Sequence, residues 1–187
     1  EVKRNKKLYR QEFSRGVPQT ELEVVEDLKE DITGTTIIFH PDPEIFETVE
    51  FEFEVLEKRF REMAFLNKNV KIIFTDERVD RQEIFHYEGG IKSFVEYINR
   101  KKTKIHKDVI YFEELSENTQ VEVAIQYTDS YSENVLTFAN NINTEEGGTH
   151  LSGFRASVTR TINDYGRKYN IIKEKEENLS GDDVREG

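Results

Sequence analysis

Gly147 and Gly148 stand between a stretch whose apolar residues alternate and one whose apolar residues recur every three or four positions, so the chain must change element there. Before them, residues 133–142 (ENVLTFANNI) set Leu136, Phe138 and Asn140 on one side of an extended chain and Val135, Thr137 and Ala139 on the other, which predicts a strand. Paired glycines open backbone angles closed to other residues, and Thr149 carries a side chain suited to capping a helix. Beyond the turn, Leu151, Phe154, Val158, Ile162 and Tyr165 line up as one helical stripe, predicted to be the buried face. Arg160 and Arg167 fall on the opposite side and read as solvated charges. Arg155 falls at the margin of the stripe, where a guanidinium can reach a groove without being interred. The glycine pair could also hold an anion at the positive end of the helix, but Glu145 and Glu146 beside it would repel one, which favours a plain turn.

The rest of the chain alternates helical and extended patterns. Residues 2–13 predict a hairpin turning near Asn5 and Lys6, with residues 8–13 as its second strand. Residues 35–40 form a β-branched run stopped by Pro41, a central-strand pattern, and Asp42, Pro43 and Glu44 then follow the order of a short helix start. Phe53, Leu56, Phe60, Met63 and Ala64 share a helical face, supported by Glu54 with Lys58 and Glu57 with Arg61 on the exposed side. Residues 70–75 and 83–87 flank a charged turn and predict an antiparallel hairpin. A second amphipathic helix follows Gly89 and Gly90 through Ile91, Phe94, Val95 and Ile98, then a basic connector at residues 100–104. Val121, Val123, Ile125 and Tyr127 alternate with polar or small residues as a strand predicted to pair with residues 133–142. The sum is an α+β chain in two pieces, with a boundary at the two glycines.

At 187 residues the chain can bury a core, and its charged fraction of 35% with a net charge of -11 argues against a surface that clamps nucleic acid over its whole extent. Local basic faces remain compatible with that balance. Without cysteine there are no disulfides or thiolate metal sites, which favours a reducing compartment, the cytoplasm. The start at residues 1–4 has neither an initiator methionine nor a signal-peptide core, and the acidic segment at residues 173–183 leads to an end with no terminating device; the expectation is an excised piece of a longer protein. His40, His86, His106 and His150 are dispersed, without metal-ligand spacing, and the chain has no G-x-S-x-G elbow, Walker loop or G-x-G-x-x-G. Glu145 with Glu146 and Asp182 with Asp183 lie in polar segments and read as solvated pairs rather than as an acid and a base. From the residues alone, a binding or coupling module is favoured over a self-contained enzyme.

Four blocks carry more specific information: residues 33–39 (TGTTIIF), 61–67 (REMAFLN), 85–90 (FHYEGG) and 140–155. In this order and spacing the chain resembles the B-subunit family of bacterial DNA gyrase, a type II DNA topoisomerase. The ATPase subunit of topoisomerase IV shares most of these blocks, and the region of Leu151 and Phe154 tilts the resemblance toward gyrase. A non-catalytic interaction module sharing the fold is the alternative from a different class.

The resemblance implies that residues 1–89 are the C-terminal part of an ATPase sandwich of the gyrase, Hsp90, histidine kinase and MutL type. Residues 90–187 would be the N-terminal part of a transducer domain with a left-handed βαβ crossover. Thr35 matches a threonine that hydrogen-bonds toward adenine through a carboxylate and water network, and Arg4 an arginine at the outer edge of the nucleotide pocket. Arg155 matches a transducer arginine lining a cavity between two B subunits through which duplex DNA passes. The resemblance further implies ATP and Mg2+ as cofactors of the parent, with the gyrase A protein, a second B protomer in an ATP-dependent dimer, and duplex DNA as partners. It places no catalytic residue in this chain: the family's glutamate base, magnesium-binding asparagine, adenine-binding aspartate, glycine-rich lid and transducer lysine have no counterpart here. The piece alone is therefore expected to bind no cofactor and to be inactive in ATP hydrolysis.

Overall fold

The computed structural model describes residues 1–187, which form two compact units, residues 1–52 and 53–187. In the first, a four-stranded antiparallel sheet has the order β5-β2-β1-β6, made of β1 (Val2–Arg4), β2 (Lys7–Arg10), β5 (Glu23–Asp27) and β6 (Gly34–Thr35). The β1–β2 hairpin turns at Asn5 and Lys6, both left-handed (φ 53° and 57°), the geometry that lets a two-residue loop follow the twist of its strands. The second strand stops at Arg10. Phe13 instead opens a separate small hairpin, β3 (Phe13–Ser14) with β4 (Val17–Pro18), turning at Arg15 and Gly16.

The run at residues 35–40 is not a central strand. It lies at the sheet edge, where the ladder ends with the Thr36 amide donating to the Glu1 carbonyl at 2.8 Å and the Glu1 ammonium donating to the Thr36 carbonyl at 2.8 Å. With no strand residue opposite them, Ile37, Ile38 and Phe39 are exposed. Asp42 caps as its type suggests, accepting from the Glu44 amide, but one turn closed by Phe46 N–H to Asp42 C=O is all that forms.

The second unit is built on α1 (Phe53–Leu66), whose aromatic residues hold the core. Phe53 stacks on Phe74 (4.5 Å between centroids) in the hairpin of β7 (Ile72–Asp76) and β8 (Arg81–Phe85), and the Arg81 guanidinium lies 3.7 Å from the Phe53 ring centre. Phe65, absent from the predicted apolar face, is only 1% exposed, stacked between Tyr87 (3.6 Å) and Phe94 (4.8 Å). Of the two predicted α1 ion pairs, Glu57 with Arg61 forms, whereas Glu54 turns to Arg81. Phe94 belongs to α2 (Ile91–Ile98), entered through Gly90 at φ 58°, a left-handed angle that favours glycine.

Two strand expectations fail here. The strand β10 (Thr119–Ile125) pairs with β9 (Ile110–Ser116) through a tight turn at Glu117, not with residues 133–142. An adjacent hairpin with seven matched pairs outcompetes a longer connection. Within residues 133–142 the strand is broken into β11 (Phe138–Ala139) and the start of β12 (Ile142–Asn143), which pair because Asn140 and Asn141 adopt left-handed angles and reverse the chain. Every strand pairing in the chain is antiparallel, whereas a βαβ crossover joins parallel strands.

The long helix α3 (Thr149–Lys168) begins after Gly148, which occupies the cap position at φ 152° without a side-chain hydrogen bond. Thr149 is therefore the first helical residue rather than the cap. The predicted stripe is only partly covered: Leu151, Phe154 and Val158 are half-buried and Ile162 and Tyr165 exposed, while the fully buried residues are Asn163 and Gly166. At 100° per residue that buried face lies about a quarter-turn from the stripe. It is covered by residues 172–180 and by α4 (Gly181–Arg185), whose start is a reciprocal capping box of Ser180 and Asp183. The acidic, polar end of the chain thus carries a docked helix. No helix is long and apolar enough to cross a membrane.

Candidate functional site

Residues 155, 159 and 163 fall one above another on α3, flanked by 156, 160 and 164, so the face of the helix turned toward α4 carries Arg155, Thr159, Arg160, Asn163 and Asp164 together. With Asn178, Leu179 and Arg185 these residues line a cavity of about 450 Å³. Arg160, expected to be a solvated charge on the far side, shares this cavity with Arg155. Arg160 is exposed, as expected, whereas Arg167 is tied down: its guanidinium donates to Asn178 Oδ1 and to the carbonyls of Lys173 and Glu176, binding the covering segment to the helix.

Asn163 fixes the floor. Its Nδ2 donates to the carbonyls of Thr159 (2.9 Å) and Leu179 (3.0 Å), and its Oδ1 accepts from the Leu179 amide at 2.8 Å. These bonds satisfy a polar side chain that is 6% exposed, and they set where α4 begins. Consequently Arg185 reaches back beside Arg155. Glu133 Oε1 accepts from Arg155 Nε at 2.9 Å and lies 3.3 Å from Arg185 Nε. Burial alone would raise the Glu133 pKa; the hydrogen bond and charge of Arg155, then the charge of the neighbouring Arg185, outweigh it and hold the carboxyl below its ordinary range. Arg185 Nε is fully buried and, despite its nearness to Glu133, makes no hydrogen bond, so a donor remains unspent.

Glu133, Asn163 and Arg185 escaped sequence reasoning. Only α4 had a signal, the Ser180-x-x-Asp183 spacing. A second polar cluster was equally hidden: Lys68 Nζ donates to Tyr111 Oη (2.9 Å) and lies 2.8 Å from Glu122 Oε1, while the Tyr111 hydroxyl donates to Glu122 at 2.6 Å. The hydrogen bonds to Glu122 and Tyr111 raise the Lys68 pKa. The network ties the end of α1 to the β9–β10 hairpin.

Thr35 and Arg4 lie in the other unit, on neighbouring strands β6 and β1. Val2 faces Thr35, and Arg4 is two residues from Val2, so both side chains belong to one face of the sheet. Both are exposed, and neither makes a hydrogen bond or ion pair through its side chain. One hydroxyl and one guanidinium on an open face do not by themselves fit a magnesium nucleotide, which needs several phosphate donors and oxygen ligands. No group of three or more His, Asp or Glu side chains is arranged to hold a metal ion.

The family model described as DNA gyrase B matches residues 90–187. The gyrase B protein of Clostridium acetobutylicum is 52% identical over all of this chain, and that of Streptococcus pyogenes serotype M3 is 54% identical, also over all of it. The chain spans 29% of the length of each of these relatives. Among solved structures, the 43K ATPase domain of Thermus thermophilus gyrase B, crystallised with an aminocoumarin, superposes at a TM-score of 0.84 with 35% identity. That match covers 100% of this chain and 51% of the other. The α+β fold is therefore shared along the entire chain with a gyrase-type ATPase domain, and the chain belongs to the DNA gyrase B family.

Proposed function

We propose that residues 1–187 are a coupling segment of the ATPase subunit of a gyrase-type topoisomerase, whose whole protein uses ATP with Mg2+ to drive duplex passage and negative supercoiling. The observation that carries this is the match along the full chain, at 35% identity and a TM-score of 0.84, to a gyrase B ATPase domain. In this reading residues 1–89 end the ATPase domain and residues 90–187 begin the transducer. Thr35 and Arg4 sit toward the nucleotide side, and Arg155 meets passing DNA. Hydrolysis belongs to the whole protein, and the isolated chain is inactive. Its partners are the gyrase A protein and a second B protomer.

The charge pattern supports a light hold on DNA: a chain of net charge -11 gathers three guanidiniums around a single cavity, with Asp164 in its lining and Glu133 and Asp182 paired to Arg155 and Arg185, so that attraction is present but largely offset. The test reconstitutes the whole protein with its gyrase A partner on relaxed circular DNA. ATP-dependent negative supercoils support the reading, and Arg155→Ala should lower supercoiling more than nucleotide binding. Relaxation or decatenation without supercoiling would assign the topoisomerase IV activity instead, and no ATP-dependent change in topology would overturn the coupling role.

A further inference from the structure

The arginine cavity is not vacant of counter-charge. Glu133 reaches it from residues 128–137, outside α3 and α4, and sets one carboxylate oxygen against two guanidiniums. Carboxylate and phosphate compete for the same planar donor fork of arginine. Around them, Asp164 adds a second carboxylate to the lining, Arg185 is held by Asp182 and the Thr159 hydroxyl as well as by its nearness to Glu133, and Arg160 is exposed and makes no ion pair. Of the three guanidiniums, Arg160 alone has no carboxylate partner, and Arg155 shares its partner with Arg185.

We propose that this cavity receives one backbone phosphate of duplex DNA, and that Glu133 is its built-in competitor: it tethers Arg155 in the absence of DNA and cedes it when a phosphate enters. The proposal rests on the reading of Arg155 as DNA-facing and adds the site, its further members Arg160 and Arg185, and the group that limits its grip. Such a device suits DNA that must pass rather than stay. Each phosphate gained costs the chain its own ion pair, so attraction is weakened without removing the guanidinium that gives it direction. Burial is compatible with the exchange, since Arg155 is 41% exposed and Glu133 23%. Arg185 is 18% exposed and remains as the fixed partner on which Glu133 can stay anchored.

The experiment measures binding of a fluorescently labelled DNA duplex to the intact chain by anisotropy over a series of salt concentrations. Variants are Glu133→Gln, Arg155→Ala, the double variant, Arg160→Gln, and Glu174→Gln as an exposed charge-matched control. Glu133→Gln should bind about fivefold more tightly, the scale of an exposed ion pair, whereas Arg155→Ala should flatten the salt dependence of log K by about 0.9, the loss of one phosphate contact. The gain should vanish in the double variant. Arg160→Gln, which breaks no ion pair of the fold, should bind more weakly and reports on the site even if Glu133→Gln folds poorly. Tightening no greater than in Glu174→Gln, or tightening that persists without Arg155, overturns the competitor role while leaving the DNA-facing reading intact. Wild-type affinity in both Arg155→Ala and Arg160→Gln overturns the phosphate site and the DNA-facing reading of Arg155 together, as does absence of duplex binding at low salt.

Discussion

Replacing Asn163 by alanine should release the covering segment from α3 without unfolding the unit around it. The side chain is 6% exposed and makes three hydrogen bonds to backbone, two of them to the amide and carbonyl of Leu179. Truncation removes both Leu179 bonds at once, and each contributes about 1 kcal/mol net, so docking of residues 172–185 should weaken by about 2 kcal/mol. That corresponds to about a 30-fold rise in the local opening equilibrium. Amide hydrogen exchange reads it directly, because the Leu179 N–H is itself the group bonded to Asn163 Oδ1. Leu179 should lose protection by that factor, while the β7–β8 ladder, to which Asn163 makes no hydrogen bond, keeps its rates. Asn163→Asp sharpens the test, since it keeps an acceptor for the Leu179 amide but sets a carboxylate against the Leu179 carbonyl. Unchanged Leu179 protection in the alanine variant would refute the role of these bonds in docking. Equal loss at every amide would show that Asn163 supports the unit as a whole and would refute it in another way.

Two further outcomes follow from the core and from the charge cluster. Phe65→Ala removes the ring stacked between Tyr87 and Phe94 and should destabilise the second unit by about 3–5 kcal/mol in chemical denaturation; a loss under about 1 kcal/mol would mean that the stack relaxes into the space left behind. Because the Glu133 pKa is lowered in the folded chain, the stability it lends is full above the ordinary carboxylate range and is lost as pH falls through its depressed value; a carboxyl titration followed by NMR should show that midpoint move upward in Arg155→Ala, and an unmoved midpoint would exclude Arg155 as a cause.

Local chemistry was legible where neighbours in sequence decide the structure. The turn at Asn5 and Lys6, the amphipathic helices α1 and α2 and the β7–β8 hairpin all depend on contacts a few residues long. Strand pairing was legible only where a short turn enforced it. The alternation at residues 121–127 marked β10 but said nothing of its partner, because β9 is a charged run (YFEEL) without the alternation of a half-buried strand. Likewise the β-branched content of residues 35–40 records a preference for pairing, while pairing itself needs an opposite strand, and β1 supplies one only as far as the bonds to Thr36. Of the candidate site residues, Arg155 was singled out by its angle on the helix, and the ring of groups around it was not, since Glu133, Asn178 and Arg185 are 22, 23 and 30 positions away.

The misread face of α3 explains why that ring was invisible. Hydrophobic periodicity locates the side of a helix that gains most from leaving water, but a face can also be buried by polar groups whose bonds are all made. Gly166 supplies the room: a Cβ there would come within 2.7 Å of Ile172, so the covering chain can approach only because no side chain intervenes. Asn163 and Arg167 then supply the bonds that hold it there. Together they turn the helix about a quarter-turn from the orientation its apolar residues suggest, which carries Arg160 into the same cavity as Arg155 and sets α4 where Arg185 can face Glu133. The charge cluster is thus a consequence of how the helix is buried, and any change that rotates or uncovers this face changes the field around Arg155.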